Sequence, residues 1–172
     1  MRGEAVPPEA VPPEALPSKD AQEEERAVDR AVRALARRDH SAASLRTKLD
    51  RAGLSESAKS AALDVLERAG YVDDARFARD RAAVLADRGY GDAWIRADLE
   101  RQGVERETAD TAVAGLEAEP ERALRQAASA GDGLRALRSL ARRGFSEDAL
   151  EAVAAASVAE GAPEGVGYES SI

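Results

Sequence analysis

The stretch LRTKLDRAGLS at residues 45–55 returns twice along the chain, as IRADLERQGVE at 95–105 and as ALRSLARRGFS at 136–146. Leu45, Leu49, Gly53, Leu54 and Ser55 align with Ile95, Leu99, Gly103, Val104 and Glu105. They align again with Ala136, Leu140, Gly144, Phe145 and Ser146, at offsets of 50 and then 41 residues. Apolar residues four apart share one face of a helix. A glycine just beyond them supplies the left-handed residue that ends a helix. A serine after it can accept from the first free amides of the next helix. Each copy therefore reads as helix, glycine turn, helix, and the recurrence reads as a tandem array of small units.

The flanking segments extend this reading. Val28, Ala31, Val32 and Leu35 recur at helical spacing, as do Ala62, Leu63, Leu66 and Ala69. Ser41, Ser55 and Asp73 stand where caps belong, Gly70 and Gly89 where helices stop, and Gly91 or Asp92 opens another helix. No stretch alternates apolar and polar residues for long, so no sheet is expected. The predicted fold is all-α: an elongated array of three tandem three-helix repeats with helix-turn-helix-like units. The expected helices are 21–38, 42–52 and 56–69 in a unit spanning 21–70. A second unit at 71–118 has helices 74–87, 92–102 and 106–117, and a third at 119–160 has 119–129, 133–143 and 147–159. Residues 1–20 hold Pro7, Pro8, Pro12, Pro13 and Pro17, with PPEA twice, and are expected to form a disordered acidic tail. Residues 161–172 are expected to form a second one.

Composition excludes several chemistries. The chain has no Cys and a single His among 172 residues, so disulfides, thiol catalysis, Cys-ligated metal and His-based triads have no material. Aromatics make up 3%, too few to line a cofactor pocket with rings. There is no GxxxxGK[ST] and no GxGxxG, and Gly89-Tyr90-Gly91 is too short to cradle a phosphate. No catalytic residue, no metal site and no cofactor are expected, and the chain reads as a non-enzyme. His40 is expected as an exposed residue beside the Ser41 cap. Asp73-Asp74 is read as a cap plus a first-turn acid in preference to a Mg²⁺ ligand pair. The N-terminus shows no targeting pattern and no apolar run approaches the ~20 residues of a membrane span, so no membrane association is expected. A cytoplasmic location fits the absence of Cys.

Net charge is −8, but residues 1–25 carry −5 and 161–172 carry −2, leaving the body near neutral. A general nucleic-acid binder would show a basic excess. Local stripes stand out instead: Arg26, Arg30, Arg33 and Arg37 form one helical face, and Arg135, Arg138 and Arg142 another, with Arg143 adjacent. A solvated face with pairs such as Asp29–Arg33 competes with a partner surface. Among aromatics, Tyr71 and Phe77 bracket Asp73 near staple spacing. Phe145 is placed in the core, and Trp94 is assigned to packing over an interface role. A helix-turn-helix DNA reader is disfavoured, because residues 105–117 carry four acids against Arg106 alone.

An ordered set of motifs then resembles a known family. It comprises Arg38-Asp39-His40-Ser41 followed by Leu45 and Leu49, then Gly70-Tyr71-Val72-Asp73-Asp74-Ala75-Arg76-Phe77-Ala78-Arg79. Next come Arg88-Gly89-Tyr90-Gly91 with Ile95-Arg96-Ala97-Asp98-Leu99, then Gly103-Val104, and Leu140-Ala141-Arg142-Arg143-Gly144-Phe145-Ser146. From about residue 26 to 155 this set resembles the bacterial RecX family of recombination regulators. The resemblance implies three three-helix units in an arc and a non-enzymatic monomer that binds the RecA recombinase. It implies lodging in the groove of the RecA–DNA filament, inhibition of ATP hydrolysis and strand exchange, and weak contact with single-stranded DNA. The third unit departs from the family pattern, since 119–133 is Ala-rich and Lys-poor. Stripes and matched motifs together give the expected partner-binding residues. In the first unit these are Arg37, Arg38, Arg46 and Arg51. In the second they are Arg76, Arg79, Arg96 and Arg101, and in the third Arg138, Arg142 and Arg143. The rival expectation is an independent helical nucleic-acid-binding module.

Overall fold

The computed structural model describes residues 18–129 and 133–161. Nine α-helices and no strands occur among them: α1 (Lys19–Leu35), α2 (Ala42–Asp50), α3 (Glu56–Arg68), α4 (Asp74–Asp87), α5 (Asp92–Arg101), α6 (Arg106–Ala114), α7 (Glu119–Ala128), α8 (Gly133–Arg142) and α9 (Glu147–Gly161). They pack as three successive groups, α1–α3, α4–α6 and α7–α9. The all-α repeat array expected from the sequence is the fold observed.

Local chemistry sets the boundaries. Ser18 accepts from the Ala21 amide at 3.2 Å, so α1 starts at Lys19, inside the stretch expected as tail. It also stops three residues early. The Arg37 amide bonds to Ala34 O at 3.2 Å, a tightened i−3 turn that leaves Arg37 and Arg38 outside the helix. Ser41, Ser55 and Asp73 cap α2, α3 and α4 as expected. The repeated glycines Gly53, Gly103 and Gly144 have φ of +72°, +78° and +81°, the left-handed turn that the repeat predicts. Gly115 follows the last residue of α6, which ends at Ala114 instead of 117. The expected tails at 1–17 and 162–172, and the Ala130–Asp132 segment, lie outside the described residues.

Each group has its own core. Ala31, Leu45, Leu49, Leu63 and Leu66 fill the first, joined by Ala27, Ala58 and Ala62 where α1 meets α3. Phe77, Leu85, Ile95, Leu99, Val104 and Val113 fill the second. Ala123, Leu140, Phe145, Ala149 and Val153 fill the third. Tyr71 and Phe77 do not form the expected staple. Val72 turns inward to the first core instead, and Tyr71 stays 65% exposed.

The groups are joined by backbone amides. The first N–H groups of a helix have no partner within it. At the start of α2, the Ala42 amide donates to Asp74 Oδ1 of α4 at 2.8 Å, and the Ser41 hydroxyl donates to Gln102 O in the turn after α5. At the start of α5, the Gly91 amide donates to Arg143 O at 2.8 Å and the Ala93 amide to Gly144 O at 3.3 Å. The Asp92 amide donates to Glu119 Oε1 of α7 at 2.6 Å. Both joints thus seat the start of a middle helix on the glycine turn of the following group, with an acid from that group's first helix taking an amide. The expected role of Asp74 as a first-turn acid of its own helix therefore misses its main contact, which lies in the preceding unit.

The second joint also contains a buried charge. Arg122 is 4% exposed. It donates to Tyr90 O and Glu117 O at 3.1 and 3.0 Å, pairs with Asp92, and lies over the Phe145 ring. Burial and the neighbouring Glu119 carboxylate push the Asp92 carboxyl up, with Arg122 opposing them. Arg122→Ala would leave Asp92 and Glu119 facing each other without that cation. We expect a loss of about 3–5 kcal/mol in chemical denaturation, the usual result of removing one partner from a buried pair.

Gly91 has an ordinary φ, but a Cβ there would run into the Gly144 carbonyl and the Phe145 amide. A Cβ at Gly53 would meet nothing within 4 Å, so alanine there carries only the left-handed backbone penalty of about 1–2 kcal/mol. Gly91→Ala should therefore alter the radius of gyration in X-ray scattering, and Gly53→Ala should leave it unchanged while lowering stability.

Candidate functional site

The arginine row of α1 is one wall of a cleft. Residues three and four apart share a helix face, so Arg30 and Arg33 line up on α1, Arg37 follows just past its end, and Lys48 of α2 with its C-capping Arg51 also lines the cleft. Arg38, in the turn between the helices, completes a concavity of about 670 Å³ lined by six cations. Its apolar lining is Ala34, Leu45 and Leu49, and the two leucines are fully buried in the core. Arg33 pairs with Asp29 at 3.0 Å, an exposed i,i+4 bridge of little strength. Among the described residues the other five cations form no salt bridge. Of these, the sequence marks Arg37, Arg38 and Arg51 as partner-binding and places Arg30 and Arg33 in the stripe, and it does not single out Lys48. One signal was available, since Lys48 precedes Arg51 by one helical turn.

His40 lies beneath this cleft. It was expected at the surface, yet it is 5% exposed. Its Nδ1 is 3.0 Å from Ser44 Oγ. The reason is the first joint: neighbouring Ser41 is fully buried against Gln102 O of the next unit and draws the preceding turn inward. Desolvation, then the positive charges of Arg38 and Lys48, hold its pKa below 6.5.

The other expected partner residues divide into two kinds. Four are held by the protein itself. Arg46 pairs with Glu56 and reaches Ser60. Arg76 donates to Gly70 O and Tyr71 O at 3.1 and 3.2 Å. Arg96 bonds Asp110 at 2.8 Å. Arg101 pairs with Asp98 at 3.1 Å and lies 5.3 Å from the centre of the Trp94 ring. Buried Asp98 also takes Arg81. The remaining residues outside the cleft, Arg79, Arg138, Arg142 and Arg143, are exposed and form no salt bridge among the described residues. Arg138 and Arg142 share one face of α8. The structure does not gather the eleven into one patch.

Phe77, Tyr90, Trp94 and Phe145 serve packing. Tyr90 and Trp94 stack with centroids 4.0 Å apart, and Gly144 closes on the Trp94 backbone, as a Cβ on it would lie 2.7 Å from that nitrogen. Phe145 is buried in the third core, as expected. Arg106, the one base of residues 105–117, is exposed and leans to Asp110 at 3.8 Å, so α6 offers a single weakly paired cation to a DNA groove. Among the described residues no group of three or more His, Asp or Glu side chains is placed to hold a metal ion, and no helix is long and apolar enough to cross a membrane.

With this geometry in view, residues 73–113, from the cap of α4 to the last turn of α6, match the family model described as RecX, second three-helix domain. That segment is similar to a RecX three-helix domain. A regulatory protein RecX of Stenotrophomonas maltophilia (strain R551-3) is 38% identical over 94 residues, covering 55% of this chain and 58% of that protein. One of Xanthomonas oryzae pv. oryzae (strain MAFF 311018) is 43% identical over 94 residues, covering 53% and 57%. The chain thus spans somewhat over half the length of the curated relatives it matches. The crystal structure of RecX from Lactobacillus salivarius superposes with a TM-score of 0.71 at 17% identity, covering 79% of this chain and 97% of that one. A second RecX crystal structure gives 0.69 at 20% identity, covering 78% and 74%. At those identities the likeness is one of fold, and it extends well beyond the matched residues 73–113.

His40 is the only imidazole in the chain, so its titration is directly readable. We expect its proton resonances to titrate below 6.5, the value of an unperturbed ring. A depressed folded value means that the unfolded chain binds the proton more tightly. Stability should therefore be full above 6.5 and decline as pH falls through the window below it. Replacing His40 with Gln should remove that part of the pH dependence. A midpoint at or above 6.5 by NMR would contradict the burial described.

Proposed function

We propose that this chain is a regulatory protein of homologous recombination and DNA repair that binds the RecA recombinase and its DNA filament. In this reading it lodges in the filament groove as a monomer and restrains ATP hydrolysis and strand exchange, acting in the cytoplasm. The observation that carries the proposal is the match to a RecX three-helix domain at 73–113, set between two further three-helix units of the same array. Two supports are physical. A row of small units joined end to end can follow a helical groove, and modest contacts from each unit multiply through effective concentration. The bare Arg138–Arg142 face of α8 gives the third unit a cationic surface that no described acid neutralises. A regulatory role without catalysis agrees with the relatives' description as regulatory proteins.

The test is ATP hydrolysis by RecA on single-stranded DNA, with the chain added below equimolar amounts. Suppression is expected. Arg138→Glu with Arg142→Glu should weaken filament binding about tenfold or more while helicity by circular dichroism is unchanged, since two reversed charges replace attraction by repulsion. Unaltered binding would remove α8 from the contact. The second reading, an independent nucleic-acid-binding module, is favoured by one observation, the cationic cleft of the first unit. Undisturbed RecA hydrolysis together with salt-sensitive binding to DNA alone would select it.

A further inference from the structure

We propose that the Gly53 turn of the first unit is a docking seat for a second copy of this chain, which adds head to tail by placing the start of its α8 there. The joint that links units inside one molecule then recurs between molecules. That joint carries the proposal, whether or not the chain acts on RecA.

The second joint shows what a filled seat contains. Arg143 O and Gly144 O take the Gly91 and Ala93 amides at the start of α5. Glu119 takes the Asp92 amide with one oxygen at 2.6 Å and the Ser146 amide of its own unit with the other at 3.2 Å. The first unit carries the same set. Ala52, Gly53 and Ser55 hold the places of Arg143, Gly144 and Ser146 in the repeat. Gly53 has the same left-handed φ, and Glu23 takes the Ser55 amide at 3.0 Å, as Glu119 takes that of Ser146. Among the described residues no backbone amide reaches Ala52 O or Gly53 O. A carboxylate has about four lone-pair sites, so Glu23 keeps capacity for a further amide.

Burial marks the same seat as open. The residue after the glycine is buried in the two units that receive a neighbour, at 4% exposure for Val104 and 6% for Phe145. Leu54 is only half-buried, and a concavity of about 240 Å³ has Ala52 and Leu54 in its wall. A Cβ on Gly53 would meet nothing within 4 Å, whereas Ala43 closes on Gly103 and Trp94 on Gly144.

The occupant has to bring a helix start with adjacent amides to give. The starts of α2 and α5 are already seated inside the molecule. The third middle helix is α8, and no fourth group follows it among the described residues. In the repeat, Gly133 and Leu134 hold the places of Asp92 and Ala93, whose amides make the second joint. Leu134 is 68% exposed there, an apolar side chain that a seat containing Leu54 would cover. The two ends of one chain are thus the two halves of one joint, which makes the contact heterologous and open-ended. It is also small. Association is expected at about 0.1–1 mM, so the dilute chain is the monomer of the functional proposal.

The test uses the full chain with no recombinase present, so its result is separable from that of the hydrolysis assay. Sedimentation velocity is recorded between about 10 µM and 1 mM, and the weight-average sedimentation coefficient should rise with concentration. Two variants break the two halves. Gly53→Asn fills the seat with a side chain that tolerates the left-handed turn. Leu134→Glu sets a carboxylate against Glu23, at an exposed first-turn position where an acid suits the helix. Each variant alone should stay monomeric over the whole range, with unchanged circular dichroism. Mixed in equal amounts, they should form a dimer and nothing larger, because one keeps the helix start and the other keeps the seat.

A parent chain that stays monomeric at the top of the range would overturn the proposal. Variants that associate as the parent does would overturn it too. A mixture that fails to dimerise would replace the head-to-tail contact with a two-fold one through another surface.

Discussion

The first turns of α2 and α5 begin with backbone amides that their own three-helix groups do not satisfy, and the next group satisfies them. Asp74 takes the Ala42 amide, and Glu119 takes the Asp92 amide. Carbonyls of Arg143 and Gly144 take two more. A buried amide without a partner costs free energy comparable to a lost hydrogen bond. The first and second units are therefore complete only with the following unit in place. This fixes how units stack as well as that they stack, since hydrogen bonds to a named turn tolerate little rotation. The small cores point the same way. A group of about 45 residues buries too little surface for comfortable independent stability, and alanine supplies much of what is buried here.

The glycine repeat serves this joint twice. Its left-handed backbone ends the middle helix, which any glycine at C′ would do. Its missing side chain then lets the preceding unit approach. A Cβ on Gly103 would collide with the Ala43 side chain, and one on Gly144 would lie 2.8 Å from Trp94 Cβ. Gly53 has no preceding unit among the described residues, and a Cβ there would meet nothing within 4 Å. The same residue in the same local conformation is thus a spacer at two joints and a stop at all three turns. The array is built from a local signal reused as a tertiary one.

That reuse explains what the sequence could and could not disclose. The helices, their serine caps and the three-fold recurrence were legible because each depends on residues within one or two turns. Leu45 and Leu49, and their counterparts Ile95 and Leu99, are fully buried as their spacing demands. Contacts between units were not legible. Asp74 bonds an amide 32 residues upstream, and Ser41 a carbonyl 61 residues downstream. Nothing near His40 in sequence foretold that this second bond would draw it inside. Arg122 sits in an alanine-rich stretch whose local pattern gives no sign of burial, yet it is the buried cation of the second joint. The arginines were the hardest to sort. Whether one is free depends on acids a helix or two away, as with Arg96 and Asp110 or Arg81 and Asp98.

Sorting them changes the meaning of the charge count. The body of the chain is almost neutral, which by itself argues against a polyanion as partner. Neutrality, however, is a sum, and a ligand meets a local field. In the second unit the acids stand opposite the arginines: Asp98 holds Arg81 and Arg101, and Asp110 holds Arg96 and leans toward Arg106. In the first unit Asp29 pairs with the cleft's exposed Arg33, and other acids are engaged elsewhere. Asp50 and Glu56 hold Lys59 between α2 and α3, and Glu23 is committed to Ser55. These three carboxylates tie the helices of the unit together, and the cleft cations other than Arg33 form no salt bridge among the described residues. A cationic cleft therefore arises in a neutral body without any excess of basic residues, through the placement of the acids.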